Sequence, residues 1–358
     1  MTEQNNQIYD ETAQPRTWFA TLRLTRQYGR TGLLGLVILI TLVAGLEWAA
    51  RQPFVASRIP TVIGSSHLLL DAKFGDLDYL RIQEGEIDCI FMGSSVVYRS
   101  IDPAIIEAEY RAQTGAEITC YNFGVQGITA APAGALAEVL VQDYQPKLLV
   151  FGFMPRALAE KNTGMQIVLS SPWIRYKLGN SSLEGWLIDH SLAYRRYLAL
   201  RGWTSPDFVS PIGDLDALSH TGFGPFTDVD PDPPMPTYLT DYPTWPYHWA
   251  GLEQIAALDW ANGGSTQVLL VEMPLPPTLI AQYPDGPANH ANFVASIHEF
   301  AAAHHVPYWE STALDMIPAD GWHDNVHLKQ NGAAIFSAWL GEQIGRAVVQ
   351  GDLVFGAK

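Results

Sequence analysis

The chain has 358 residues, of which 47% are hydrophobic and 16% charged, a length that suits one large domain or two modest ones. Its formal net charge of −16 argues against a nucleic-acid partner, which requires a basic face. The two cysteines, Cys89 and Cys120, each fall inside a predicted strand. They are therefore expected to be small buried apolar side chains rather than a disulfide or a metal site.

The N-terminal region combines a polar start with a long apolar run. Residues 1–15 are polar without periodicity, which predicts disorder. Residues 31–50 are almost wholly apolar, and twenty residues at helical rise cover about 30 Å, the thickness of a bilayer's hydrocarbon core. A buried core helix is the less favoured alternative, because residues 33–40 have no polar face. A cleaved signal peptide also stays open, since the run ends in Ala49 and Ala50.

Basic residues around this apolar run predict its orientation. Four arginines precede it closely and two follow it: Arg16, Arg23, Arg26 and Arg30, then Arg51 and Arg58. Positively charged flanks tend to stay in the cytoplasm. We therefore predict a cytoplasmic tail over residues 1–30, a single-pass anchor in the cell membrane over 31–50, and an extracytoplasmic remainder.

Apolar runs and helical patterns alternate over most of the remaining chain. After a tether over residues 51–86, the sequence predicts a domain over residues 87–350. Its strands are predicted at 87–92, 117–122, 147–153, 266–273 and 306–310, and its helices at 104–113, 131–144, 249–260, 289–304 and 331–349. Such alternation predicts an α/β fold with a doubly wound, mostly parallel five-stranded sheet.

The alternation is interrupted over residues 155–247, which we interpret as an insertion that forms a cap or a partner surface. Two helices are predicted there, at 167–177 and 183–200, followed by a proline-rich loop. Its prolines exclude regular structure: Pro225, Pro231, Pro233, Pro234, Pro236, Pro243 and Pro246. Helix packing is favoured over a glycan site for its aromatic residues, Trp173, Tyr176, Trp186, Tyr194, Tyr197 and Trp203.

The first strand ends in a turn that contains two serines. Gly93, Ser94 and Ser95 follow the apolar run directly, and ligands of open α/β sheets bind at the carboxyl ends of strands. A serine becomes a nucleophile when a base takes its proton and a further group orients that base. Asp324 lies three residues before His327, so it can hold one imidazole nitrogen while the other faces the serine.

These residues together resemble the SGNH (GDSL-like) hydrolase family over roughly residues 87–350, with three sequence blocks in the right order. The serine turn resembles the family's first block, with Ser95 in the nucleophile's place. Residues 122–127 resemble the second block, in which Gly127 would lend a backbone N–H to the oxyanion hole. Residues 324–328, followed by Asn331, resemble the last block. The flavodoxin-like fold of the family is what the resemblance implies.

The third block departs from the family pattern. After the third strand the family usually carries Gly-x-Asn-Asp, whose asparagine donates to the oxyanion, whereas this chain has residues 151–156 without an asparagine, and Pro155 has no N–H. A similar departure occurs in a membrane-anchored branch, which includes the D-alanyl transfer protein of lipoteichoic acid synthesis and the envelope-polysaccharide O-acetylation proteins. These act beside a membrane-bound O-acyltransferase. The resemblance thus implies acyl transfer or ester cleavage on an envelope glycan.

Three functional hypotheses follow from the sequence. In the first, Ser95 forms an acyl-enzyme, His327 is the base, Asp324 orients it, and the N–H groups of Ser95 and Gly127 hold the oxyanion, without a cofactor. In the second, the chain is a catalytically weak or inactive scaffold with the same fold, which recruits an acylation partner. The third and least favoured is a metal site formed by His323, Asp324 and His327, for which no further ligand is evident.

Overall fold

The structure is a computed structural model that describes residues 17–56, 58–65, 67–203, 218–226 and 240–353. The chain divides into two compact units, Met1–Arg58 and Ile59–Lys358. The predicted disorder of residues 1–15 lies outside the described residues, and so do four of the prolines, at positions 231, 233, 234 and 236.

The second unit is built on one parallel sheet. Its strands are β1 (Cys89–Gly93), β2 (Cys120–Gly124), β3 (Leu148–Phe153), β4 (Gln267–Glu272) and β5 (Tyr308–Trp309). They pair in the order β2-β1-β3-β4-β5, and every pair is parallel. The predicted α/β fold with a doubly wound five-stranded sheet is confirmed. Because β1 pairs with β2 on one side and β3 on the other, its carboxyl end lies between the ends of those two strands.

Helices connect the strands and cover the sheet. The α-helices of the described residues are α1 (Thr17–Ala50), α2 (Pro53–Ala56), α3 (Leu68–Glu84), α4 (Ser95–Ser100), α5 (Pro103–Thr114), α6 (Ala130–Tyr144), α7 (Pro155–Leu158), α8 (Pro172–Lys177), α9 (Leu183–His190), α10 (Leu192–Trp203), α11 (Ala250–Ala256), α12 (Pro277–Ile280), α13 (Pro287–His304) and α14 (Gln330–Gln350). α14 packs against α5, and α11 packs against α6. In α14 the large side chains buried in the core are those of Phe336, Leu340 and Ile344.

Both faces of the sheet are buried, which is why its strands are apolar runs rather than alternating ones. Ile90 and Met92 belong to the core cluster on one face, while Cys89 and Phe91 belong to the cluster on the other. Both cysteines are therefore fully buried side chains, as predicted, and burial raises the pKa of the Cys120 thiol.

The first unit contains the apolar segment predicted from the sequence. Within α1, Arg30–Ala50 is 21 residues long with a mean hydropathy of 2.2, and only 6% of its most apolar stretch is buried. By length and composition this helix can cross a membrane, as an anchor or as a signal sequence. An amphipathic core helix would bury one face, so the exposure of this segment disfavours the core-helix alternative.

Residues 51–86 differ from the tether that the sequence predicts, because most of this stretch is folded. Helix α3 begins after His67, whose Nδ1 accepts a hydrogen bond from the N–H of Leu70 at 3.2 Å. Leu70, Phe74 and Leu77 recur at helical spacing and are buried in the core. The pattern was hidden because two charged residues, Asp71 and Lys73, lie on the same buried side.

The insertion over residues 155–247 is largely helical up to Trp203, with α7 to α10 and a 3₁₀ turn at Gln166–Ser170. The predicted helix 167–177 is divided between that turn and α8, and the predicted helix 183–200 is divided between α9 and α10. Trp173 is buried in the core, whereas Trp186 and Tyr197 are exposed. Core packing thus accounts for Trp173 alone of these three.

The buried carboxyl group of Asp71 predicts a pH-dependent contribution to stability. Burial raises its pKa from 3.8 to about 6, although Ser65 donates a backbone hydrogen bond to it at 3.2 Å. A carboxyl whose pKa is higher in the folded state stabilises the fold below pH 4, and this contribution is lost as the pH rises through about 6. Its size is on the order of 3 kcal/mol.

We therefore expect Asp71→Asn to flatten the pH dependence of the unfolding free energy between pH 4 and pH 7. Urea unfolding of the full chain in detergent, followed by tryptophan fluorescence, measures it. Asp352→Asn, at an exposed position, is the matched control. An unchanged pH dependence in Asp71→Asn would contradict the prediction.

Candidate active site

The serine turn is fixed by the close approach of β1 and β3. A Cβ atom on Gly93 would lie 2.3 Å from the carbonyl oxygen of Gly152 and 2.4 Å from Cγ2 of Val97, so only glycine fits there. The chain leaves the sheet at this point, Ser94 precedes the helix, and Ser95 is the first residue of α4. The sequence thus places the Ser95 side chain at the carboxyl edge of the sheet, where ligands of such folds bind.

The Asp-His loop precedes α14 and is shaped by its own backbone. The N–H of His323 donates to the carbonyl of His327 at 2.9 Å, and the N–H of Lys329 donates to that of Gly321 at 2.9 Å. Within this loop, Oδ1 of Asp324 accepts hydrogen bonds from the N–H groups of Val326 (2.8 Å) and His327 (2.7 Å). The carboxylate is therefore held in one orientation by the loop itself.

The structure brings Ser95, His327 and Asp324 together, with the geometry expected from the sequence. Nε2 of His327 lies 2.8 Å from Oγ of Ser95, and its Nδ1 lies 2.7 Å from Oδ2 of Asp324. A carboxylate only accepts, so Nδ1 carries the proton and Nε2 is left to accept from the serine hydroxyl. With both ring nitrogens engaged, His327 has none to offer a metal ion.

The surroundings of the Asp324 side chain determine its charge state. Its side chain is 9% exposed, and that of His327 is 18% exposed. Burial alone would raise the pKa of Asp324, but the hydrogen bond from His327, the charge of His327 and the two backbone N–H donors together lower it. Asp324 is therefore ionised at neutral pH, which stabilises an imidazolium when His327 takes up a proton.

A narrow cleft adjoins Ser95 and contains the second residue predicted for the oxyanion hole. It is lined by Ser94, Ser95, Val96, Gly127, Ile128, Met154, Arg156, Ala157, Asn162 and Val326. The loop with Gly127 is tied to the serine turn, because the N–H of Val125 donates to the carbonyl of Gly93 at 2.8 Å. Among the described residues, no hydrogen bond engages the backbone N–H of Ser95 or of Gly127. Both N–H groups are thus available to an anionic oxygen.

The position of the missing third-block asparagine is occupied by the start of α7. Met154 precedes the helix and Pro155 is its first residue, so neither offers a side-chain amide at this place. Arg156 lines the cleft, with its guanidinium 5.8 Å from the centre of the Tyr242 ring. Residues 154–156 therefore offer no side-chain amide to the cleft.

Asn122 has a supporting role that the sequence analysis did not assign. Its fully buried Nδ2 donates to the carbonyls of Val97 at 2.9 Å and Ile101 at 2.7 Å, and its Oδ1 accepts from the N–H of Gly124 at 2.8 Å. The carbonyl of Ile101 lies just beyond the C-terminus of α4, and that of Val97 also accepts the N–H of Ile101 at 3.1 Å. Asn122 therefore anchors the short helix that begins with Ser95.

Phe226, a residue of the insertion, contacts the Asp-His loop. Its ring stacks on His323 at 3.8 Å between centroids and meets His327 edge-on at 5.7 Å. Lys73 ties the segment before Phe226 to β2. Its side chain is fully buried, and its Nζ donates to the carbonyls of Asn122 and Gly222 at 2.7 and 2.6 Å. No local sequence signal indicates these contacts, because they join residues between 49 and 149 positions apart.

No protein-family profile and no curated protein matches this chain. The solved structures that match it include an aryl esterase of M. smegmatis (13% identity, TM-score 0.34, 75% of this chain and 100% of that one). Others are a lipase/acylhydrolase of Enterococcus faecalis (14%, 0.35, 76% and 100%) and a carbohydrate acetylesterase family member of Sinorhizobium meliloti (12%, 0.32, 74% and 100%). Similarity at this level does not assign a family or an activity, so the functional assignment depends on the site.

Proposed function

We propose that the protein is a serine acyl-esterase or O-acyltransferase of the SGNH (GDSL-like) type. The observation that supports this most strongly is the hydrogen-bonded series from Ser95 through His327 to Asp324 at 2.8 and 2.7 Å. A hydroxyl, a neutral imidazole and an ionised carboxylate in this order form the arrangement that activates a serine for attack on an acyl carbonyl.

The reaction follows from the positions of these groups. Oγ of Ser95 attacks the carbonyl carbon while its proton moves to Nε2 of His327, and the carbonyl oxygen becomes an oxyanion facing the N–H groups of Ser95 and Gly127. The intermediate then expels the alcohol, which takes the proton from His327, and leaves an acyl ester on Ser95. Water or a second hydroxyl, deprotonated by His327, attacks this ester and releases Ser95.

The acyl group of the substrate is proposed to be short. The cleft beside Ser95 has an internal volume of about 10 Å³, close to the smallest space that holds one water molecule. Met154 and Ile128 form apolar parts of its wall and are almost fully buried. An acetyl methyl group fits such a space, whereas a longer chain must displace these side chains.

We expect p-nitrophenyl acetate to be turned over with a kcat/KM at least about tenfold above that of p-nitrophenyl hexanoate. Met154→Ala enlarges the cleft and should lower the ratio of the two kcat/KM values, because the hexanoate then fits better. Initial rates with the full chain in detergent measure both effects. Equal or faster turnover of the hexanoate by the unmodified chain would contradict a short-acyl site.

The acyl acceptor is proposed to be a hydroxyl of a cell-envelope glycan, reached from the outer face of the membrane. Helix α1 supports an anchor, and the arginine asymmetry of the sequence supports export of Ile59–Lys358. An anchored site lies where a membrane-bound O-acyltransferase would deliver an acyl donor, and such a protein is the proposed partner.

A reporter that is active only after export, fused behind Lys358, is expected to be active and to sediment with membranes. Fusions of the same reporter directly before residue 17 and behind Arg58 serve as controls for the two sides of α1. An inactive Lys358 fusion together with an active fusion before residue 17 would contradict the orientation. Activity in the soluble exported fraction would instead mean that α1 is cleaved.

Paired assays on the purified chain distinguish transfer from hydrolysis. Release of p-nitrophenol from p-nitrophenyl acetate is followed with and without an oligosaccharide acceptor, and the oligosaccharide is examined for added acetyl groups by mass spectrometry. Acetylated oligosaccharide supports transfer, because an acceptor hydroxyl then competes with water for the acyl-enzyme. Fast hydrolysis without acetylated product supports an esterase. Failure to react at all with either would favour the scaffold hypothesis.

A further inference from the structure

One side-chain amide lines the cleft beside Ser95 and Gly127, although it comes from outside the family's sequence blocks. Asn162 follows α7 and is half-buried in the cleft wall. It lies only a few residues beyond the place where the usual asparagine is missing. The amide of asparagine is one of the side-chain groups that complete an oxyanion hole beside backbone N–H donors.

Two hydrogen bonds fix the orientation of this amide. Nδ2 of Asn162 donates to the carbonyl of Arg156 at 2.9 Å, and its Oδ1 accepts from the N–H of Gly164 at 3.3 Å. The carbonyl of Arg156 can only accept, so the amide nitrogen of Asn162 must face it. The N–H of Gly164 can only donate, so the amide oxygen must face that group, and the two ends of the side chain cannot be interchanged. The amide nitrogen has two protons, and one of them is left after the bond to Arg156.

The turn that carries Asn162 is built directly onto the Gly127 loop. A Cβ atom on Gly164 would lie 2.3 Å from the carbonyl oxygen of Gly127, so the two backbones are in contact. Oγ1 of Thr129 also donates to the carbonyl of Gly164 at 3.0 Å. The amide of Asn162 and the backbone N–H of Gly127 are therefore held against the same small volume of the cleft.

We propose that the second Nδ2 proton of Asn162 is the third donor of the oxyanion hole, in place of the asparagine that is missing after β3. This inference depends on the proposed function, because an oxyanion forms only if Ser95 attacks an acyl carbonyl. Ser95 and Gly127 supply backbone donors, and Asn162 supplies the side-chain donor.

The test is the rate of Ser95 acylation by p-nitrophenyl acetate, measured as the burst of p-nitrophenol with the full chain in detergent. Asn162→Ala should lower this rate by about 10²- to 10³-fold with little change in KM. Asn162→Asp should be slower than Asn162→Ala at neutral pH, because a carboxylate repels the developing oxyanion. Circular dichroism and thermal unfolding check that each variant is folded.

Thr129→Val is the matched control, since it removes the other hydrogen bond to the same turn without removing an amide N–H. It should keep most of the acylation rate. A tetrahedral mimic that presents an oxyanion, such as an alkyl boronic acid, provides a second readout. Its affinity should fall in Asn162→Ala in parallel with the rate and should change little in Thr129→Val.

Equal losses of acylation rate in Asn162→Ala and Thr129→Val would mean that Asn162 only stabilises the turn, and this would overturn the inference. A folded Asn162→Ala variant that is acylated at the rate of the unmodified chain would also overturn it. In both cases the loss of acylation in Ser95→Ala would leave the proposed function standing. Acylation that persists in Ser95→Ala would instead contradict the proposed function itself.

Discussion

Ser95→Ala is expected to lower the rate of ester turnover by about 10⁴- to 10⁶-fold. The hydroxyl that lies 2.8 Å from Nε2 of His327 is the group that attacks, and alanine leaves no nucleophile at this position. Backbone donors and substrate binding would remain, so a small residual rate above that in water is expected. Initial rates with p-nitrophenyl acetate at high enzyme concentration measure the loss.

The neighbouring serine supplies the control for this substitution. Ser94 precedes α4, and its side chain makes no capping hydrogen bond to the helix. Ser94→Ala is therefore expected to lose far less activity than Ser95→Ala. Comparable losses in the two variants would mean that the turn as a whole, rather than one hydroxyl, is needed. Full activity in Ser95→Ala would remove the serine from the mechanism.

Asp324→Asn is expected to lower kcat by about 10⁴-fold. The carboxylate accepts the Nδ1 proton of His327 at 2.7 Å, whereas an amide can present an N–H to that nitrogen and favour the tautomer that protonates Nε2. The imidazole then no longer accepts the proton of Ser95. The backbone bonds of Oδ1 keep the side chain in place, so the geometry changes less than the chemistry.

Asp320→Asn, an exposed position before the same loop, is the matched control and should keep its activity.

The stability of Asp324→Asn gives an independent check on the charge of Asp324. The pKa of Asp324 is lower in the folded chain, so ionised Asp324 stabilises the fold above its ordinary pKa and this contribution is lost as the pH falls through the lowered value. The difference in unfolding free energy between the unmodified chain and Asp324→Asn should therefore become smaller at acid pH. An active Asp324→Asn enzyme would contradict the assigned role.

The sheet and the meeting of Ser95 with His327 were predictable from sequence because each depends on local signals. The apolar run that becomes β1 ends in a turn whose glycine is required by the approach of Gly152. Strands of one parallel sheet bring their carboxyl ends to one edge, so residues 232 positions apart along the chain meet there. The resemblance to known sequence blocks added the role of Gly127.

The remaining features depend on tertiary contacts that leave no periodic pattern. Helix α3 was missed because Lys73 is buried between two carbonyls, where an apolar residue would be expected. Phe226 reaches His327 from within the insertion, about 100 positions earlier in the chain, so no local pattern indicates this contact. Asn162 was missed for a similar reason, since its position in the cleft follows from the contact of Gly164 with Gly127.

The most direct test of the central claim is detection of the acyl-enzyme on Ser95. The purified chain is mixed with p-nitrophenyl acetate, quenched in acid within the burst and examined by intact-mass and peptide mass spectrometry. We predict one added acetyl group, located on Ser95 rather than Ser94, and absent from the Ser95→Ala chain. An acetyl group on another residue, or turnover with no modified serine at any time, would contradict it.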